Sequence, residues 1–278
     1  MITIPELAAE ALGSRLAEHL DRRFGSTDKG LIELVQSAAR LALDCIGNSD
    51  ALYHNFEHTM LVTLCGYDIV RGRMLRTPTN ASDFAHILIA CLFHDIGYVR
   101  GILKGDSPDG YIIDAKGNKT KLPRGSSDAA LLPYHVDRSK LFVMDRIGEI
   151  EALDAIRIAN AIEFTRFPVV PAADANDNED GMLVRAADLI GQLGDPHYLR
   201  KANALYYEFE EVEQATRLYF AGRSHRSLSA FFLEQHIAPH SKCDQLPQRY
   251  VERTVLDCKL YSNVFCAERE LNLSGPQR

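Results

Sequence analysis

No two of the six cysteines, at positions 45, 65, 91, 243, 258 and 266, form a Cys-x-x-Cys pair. A zinc site dominated by thiolates is therefore not expected. Three of these cysteines lie in apolar helical stretches, where Cys packs as a small hydrophobe. No apolar run approaches the roughly 18 residues that a membrane span needs. No run of Lys or Arg is long enough to serve as a nucleic-acid arm, and the net charge is −7. The first residues, Met1 to Leu7, lack the basic flank and apolar core of a signal peptide. These absences point to a reduced, soluble, cytoplasmic protein with no membrane and no nucleic-acid polymer as partner.

The chain has 278 residues, 46% of them hydrophobic, which is ample material for a core. Apolar residues recur at three- and four-residue steps over most of it. Residues 4–24 carry Leu7, Leu12, Leu16 and Leu20 on one face. Asp28 can cap a second helix that holds Leu31, Leu34, Val35 and Leu41. A third helix starts near His54 and runs to about Arg73. A fourth, capped by Asn80 or Ser82, runs into His94-Asp95, where Gly97 is read as its stop. Residues 100–127 are rich in Gly and Pro and predict a small β-hairpin turning at Lys116 to Lys119, as a lid, a subunit contact or a surface insertion. Helical pattern then resumes over 127–146, with a break at Pro133, and over 149–164, ended by Pro168 and Pro171. Residues 172–180 are acidic and loop-like. Further helices are expected over 182–193, from Asp195-Pro196 to about Phe220, and over 225–237 and 247–270, with a frayed tail from Asn272. The fold class is all-α with one hairpin insertion, as a single domain over 1–278 whose core is about 50–240.

The chemistry gathers around four positions. A lone His-Asp dipeptide such as His94-Asp95 is a common chance event. His58, however, shares a helix face with Leu61 and Val62, and a buried imidazole needs a partner. Asp188 sits among Val184, Ala187, Leu189 and Ile190, where a carboxylate must pair with a cation or shift its pKa. An ion pair to Arg185 or to a Lys would satisfy it; so would a metal. Two His and two Asp make an N/O donor set suited to Zn²⁺, Mn²⁺, Fe or Mg²⁺. Such an ion activates water and polarises a phosphoryl oxygen.

The order His58, His94-Asp95, Asp188 resembles that of the HD-domain metal-dependent phosphohydrolases. Tyr53-His54-Asn55-Phe56-Glu57-His58 is similar to the Tyr-His-Asn-x-x-His signature of the class I cyclic-nucleotide phosphodiesterases. The resemblance extends over about residues 50–240. It implies an all-helical fold in which His58, His94, Asp95 and Asp188 hold one divalent metal, with Asp95 bridging to a second when one binds. It implies that His54 is the general acid, a role suited to an imidazole, with Asn55 bracing the helix start or a metal-held water. Where the phosphodiesterases carry a further His after the His-Asp pair, this chain has Tyr98. His135 is the one His between Asp95 and Asp188; completing a second metal and standing as a plain helix-face His are its two readings, the second favoured. The family's nucleobase-binding Gln has its nearest counterpart at Gln248. Glu163 reads as a support of the site or as a paired helix-end carboxylate. Arg185 and Lys201 read as substrate-phosphate contacts or as solvated charges.

The expected activity is metal-dependent hydrolysis of a small-molecule phosphoester, foremost a phosphodiester of a nucleotide. The alternatives are a nucleotide phosphomonoesterase on the same site, a di-iron oxygenase, and a non-catalytic nucleotide-binding module. A homo-oligomer is left open.

Overall fold

The computed structural model describes residues 2–25, 29–166 and 178–215. The cap at Asp28, the prolines 168 and 171, the helices over 225–237 and 247–270, the tail from Asn272, Gln248 and the cysteines 243, 258 and 266 lie outside the described residues. Among those described, eight α-helices and one two-stranded hairpin give an all-α fold. No helix there is long and apolar enough to cross a membrane.

Helix α1 (Ile4–Phe24) opens with a capping box in which the Thr3 hydroxyl accepts from Glu6 N and the Glu6 carboxylate accepts from Thr3 N. Its buried stripe of Leu12, Leu16 and Leu20 packs on α2 (Lys29–Ile46), which buries Val35, Ala39, Leu43 and Ile46. Helix α3 (Phe56–Arg73) follows. Helix α4 (Ala81–Phe93), capped by Asn80, buries its whole run from Phe84 to Phe93, the mark of a central helix. It touches α2, α3, α6 (Ala155–Ile162) and α7 (Glu179–Leu193). Helix α5 (His135–Ile147) packs on α6, and α8 (Tyr198–Ala215) lies against the 3-10 segment Asp128–Tyr134.

Two glycines set the spacing around the end of α4. A Cβ at Gly191 would stand 2.9 Å from Val62 Cα, so α7 approaches α3 at backbone distance. A Cβ at Gly97 would stand 1.9 Å from His135 O and 2.7 Å from Ser139 N. Gly97 was expected to stop α4, but the helix has already ended at Phe93, and Gly97 lies in the 3-10 turn Ile96–Tyr98. Its role is to let the start of α5 press against the chain just past Asp95.

The hairpin pairs β1 (Tyr111–Ile112) with β2 (Lys119–Thr120) in antiparallel register, Tyr111 opposite Thr120. Its turn is closed by Asp114, whose carboxylate accepts from Lys116 N and Asn118 N, with Gly117 at φ +78°. The insertion is anchored by Arg138 on α5, a fully buried guanidinium. It donates to Gly97 O at 2.6 Å, Val99 O at 2.8 Å and Ile112 O at 2.5 Å, and pairs bidentately with Asp106. Residues 97–112 are thus tied to α5 through one side chain.

Boundaries differ from expectation where caps outrank periodicity. The helix expected over 149–164 shortens to α6, because the Asp154 side chain accepts from Arg157 N and starts it late. Pro133 falls in the 3-10 segment that precedes α5. Helix α8 starts at Tyr198 rather than Pro196, since Asp195 Oδ1 accepts from His197 N and holds a turn ahead of it.

Gly97→Ala is expected to destabilise the protein by about 3 kcal/mol or more, because the backbone atoms it meets cannot yield as a side chain would. Chemical denaturation of the two proteins side by side checks this. An unchanged midpoint would mean that α5 is not pressed against this turn.

Candidate metal centre

His58 stands in the first turn of α3, where the Asn55 side chain caps the helix by accepting from Glu57 N (2.9 Å) and His58 N (3.4 Å). His94 is the first residue past α4. Its Nδ1 lies 2.8 Å from Cys91 O. A carbonyl can only accept, so Nδ1 carries a proton, and in the neutral imidazole Nε2 keeps its lone pair. Asp95 follows, 3% exposed, and Asp188 arrives from α7.

These groups meet without satisfying one another. His94 Nε2 is 3.1 Å from Asp95 Oδ2 and 3.7 Å from Asp188 Oδ1. His58 Nε2 is 3.4 Å from Asp95 Oδ2 and 3.3 Å from Asp188 Oδ1. Yet His58 Nε2, His94 Nε2 and Asp95 Oδ2 are buried and make no well-formed hydrogen bond. Buried polar atoms are normally paired, so three orphans converging on one point require something between them. With donors about 2.0–2.1 Å from an ion, neighbours stand about 2.9 Å apart in an octahedron and about 3.3 Å apart in a tetrahedron. The observed separations of 3.1, 3.3, 3.4 and 3.7 Å lie around the tetrahedral edge and above the octahedral one, and these His and Asp groups could hold a metal ion.

The electrostatics agree. Burial opposes charge on His58, but the Asp188 and Asp95 carboxylates outweigh it and raise the imidazole to about 10. His94 is also raised, with burial overcome chiefly by Asp95. Burial would lift Asp95, yet His94 and His58 hold it well below the usual carboxylate range, and Asp188 is lowered in the same way, chiefly by His58. Buried Asp95 and part-buried Asp188, if both stay ionised, demand positive charge beside them, which protonated imidazoles or an ion can supply.

His54 lies two residues ahead of α3, not on its first turn, so it does not share a helix face with His58 as its spacing suggested. It reaches the site from the preceding loop, with its ring centroid 5.5 Å from that of His58. Its Nδ1 is 2.5 Å from Glu208 Oε2, and Glu208 Oε1 accepts from Tyr53 N (2.6 Å) and His54 N (3.3 Å). Burial would raise the Glu208 carboxyl, but His54 and these backbone N–H groups take it below its usual range. Glu208 therefore receives the Nδ1 proton and leaves Nε2 of His54 facing away from it. The His54 ring stacks on Tyr98 at 4.6 Å, and Tyr98 stacks on His135 at 4.6 Å. Burial keeps the Tyr98 phenol protonated.

His135 corrects the favoured reading of a plain helix-face residue. It is buried at the start of α5, with Nδ1 2.5 Å from Leu132 O and Nε2 3.8 Å from Asp95 Oδ1. Burial lowers its pKa, so it faces Asp95 as a neutral imidazole. His54, Asp95, His135 and Asp188 together line a cavity of about 60 Å³. A larger concavity of about 580 Å³ lies elsewhere, but its His86 is already committed to Ser82 O and Asp154 N.

A family model described as Npun_R2479-like matches residues 2–270. The chain belongs to that family. No curated protein and no solved structure matches the chain.

In this member of the Npun_R2479-like family the structure brings together all five site residues expected from sequence: His54, His58, His94, Asp95 and Asp188. The Arg185 alternative for Asp188 gives way, since Arg185 Nε donates to Phe164 O at 2.7 Å. Lys201 is not a substrate contact here, because it is held between Asp195 (2.6 Å) and Glu57 (2.9 Å). Glu163 is the paired helix-end carboxylate, bound by Lys140 and Arg166. Sequence reading missed Glu208. Its one signal was an acid three residues past Leu205 on the buried stripe of α8, the same kind of signal that marked Asp188.

An ion bound to the folded state alone adds stability, about 2.7 kcal/mol at a hundredfold excess over its Kd. Mn²⁺ or Zn²⁺ is therefore expected to raise the melting temperature, and Asp188→Ala to abolish that rise. Differential scanning calorimetry with and without chelator reads both, and a metal-independent melt would exclude the site.

Proposed function

We propose that this protein is a cytoplasmic, metal-dependent phosphohydrolase of the HD-domain type, cleaving a phosphoester of a small molecule, foremost a phosphodiester. The observation that carries the reading is the convergence of three orphaned buried atoms, His58 Nε2, His94 Nε2 and Asp95 Oδ2, on Asp188, beside a histidine oriented by a buried carboxylate. His58, His94, Asp95 and Asp188 would hold one divalent ion, with Zn²⁺, Mn²⁺, Fe and Mg²⁺ all suited to the donor set. When bound, such an ion lowers the pKa of water and draws electron density from a phosphoryl oxygen.

The remaining steps belong to the chain's own side chains. His54 donates from Nε2 to the leaving alkoxide oxygen. Proton donation at that atom lets the ester bond break without releasing a strongly basic alkoxide. Glu208 holds the imidazole by Nδ1 and stabilises it while it carries the proton, and the Tyr98 ring fixes its plane. His135 faces Asp95 Oδ1, not the Oδ2 that lies nearest His58 and His94, and would serve a second ion there. Burial of the cluster excludes bulk water, which strengthens each of these interactions.

With Mn²⁺ bound, turnover of bis(p-nitrophenyl) phosphate is expected. His54→Ala should lower kcat by about 10²–10⁴-fold while leaving metal content, read by elemental analysis, unchanged. Full activity in His54→Ala would remove the proton-donor role. Metal bound without turnover of any diester or monoester would leave a binding module instead.

A further inference from the structure

Gln192 lies on α7 one turn beyond Asp188 and lines the same cavity. Residues four apart share a helix face, about 6 Å along the axis. Gln192 is 6% exposed, and its Nε2 is buried with no hydrogen-bond partner among the described residues. A free buried N–H donor costs stability unless an acceptor arrives. The cavity is also lined by the apolar Leu189, Leu205 and Phe209. Thr165 also lines the cavity, but its hydroxyl is engaged with Ile162 O at 2.8 Å.

What the cavity lacks is equally specific. Among the described residues, no Lys or Arg lines it, whereas Asp95 and Asp188 do. Two basic side chains of the neighbouring helices are engaged elsewhere, Arg185 at Phe164 O and Lys201 between Asp195 and Glu57. A phosphate group entering here would meet the metal on one side and, among the described residues, no Lys or Arg on the other. Its remaining oxygens need a donor, and the unpaired carboxamide of Gln192 is one. A neutral donor can serve one shared negative charge but offsets poorly the two charges of a monoester or the three and more of a polyphosphate.

We propose that Gln192 binds a non-bridging phosphoryl oxygen of the substrate, and that this neutral donor, in a cavity that no described Lys or Arg lines, makes the site selective for singly charged phosphodiesters over monoesters and polyphosphates. The proposal rests on the phosphohydrolase reading. A donor waiting where negative charge gathers during displacement acts mainly on the transition state, so its loss appears in kcat more than in KM.

The test compares wild type, Gln192→Leu and Gln192→Lys, each loaded with Mn²⁺, on bis(p-nitrophenyl) phosphate and p-nitrophenyl phosphate. Wild type should favour the diester by tenfold or more in kcat/KM. Gln192→Leu should lose tenfold or more on the diester, chiefly in kcat, with Mn²⁺ content unchanged and melting temperature unchanged or higher. Gln192→Lys should narrow or invert the diester-to-monoester ratio and tighten inhibition by inorganic phosphate. If Gln192→Leu does not fold, Gln192→Met, of similar length, takes its place. Diester activity within twofold of wild type, a lost metal, a lowered melting temperature, or an unmoved ratio in Gln192→Lys would each overturn the proposal while the phosphohydrolase reading stands. If Mn²⁺-loaded wild type turns over neither ester, that reading fails and takes this one with it.

Discussion

Two carboxylates, Asp95 and Asp188, face the imidazoles of His58 and His94 where water hardly reaches. Leaving charge there uncompensated costs several kcal/mol per ion, so the surroundings are arranged around a positive charge. His94 is locked by Cys91 O and His135 by Leu132 O, each with its lone-pair nitrogen turned toward the carboxylates. The carbonyls that orient these rings come from neighbouring helix ends, so the site inherits the rigidity of the helices that carry it.

Packing brings the pieces to that point. Helix α4 is buried on every side from Phe84 to Phe93 and lies in the middle of the bundle. Gly191 draws α7 onto α3 at backbone distance and so carries Asp188 to His58. Gly97 does the same for α5, whose first residue is His135. The insertion over 100–127 was open to several readings. Among the described contacts it is bound to α5 through Arg138 and Asp106, while Arg100 joins Asp128 and Asp50 at its far end. It braces the chain that follows the His-Asp pair.

Helix α8 closes the arrangement with acids rather than apolar contacts alone. Glu208 takes three donors from Tyr53 and His54, and Glu211 takes both N–H and hydroxyl of Ser127. Two segments, at His54 and at Ser127, far apart in sequence, are thereby fastened to one helix face at Glu208 and Glu211. The proposed proton donor is thus positioned from the far end of the described chain, and it reaches the site from a loop rather than from the helix on which spacing placed it.

The sequence by itself determined the helical class, the hairpin and its turn, and the five residues at the centre. Apolar periodicity is a local property, and an ionisable group on an apolar stripe, such as His58 or Asp188, shows its strain within a few residues. Helix ends were less legible, because caps such as Asp154 and Asn55 override periodicity by one or two hydrogen bonds. Only the tertiary structure decided that His135 faces Asp95, that Tyr98 separates two histidine rings, that Glu208 orients His54 and that the Gln192 amide is left unpaired. Each of these depends on a distance between segments far apart in the chain. Such distances are set by the close approach of helices at positions like Gly191 and Gly97, which no local pattern encodes.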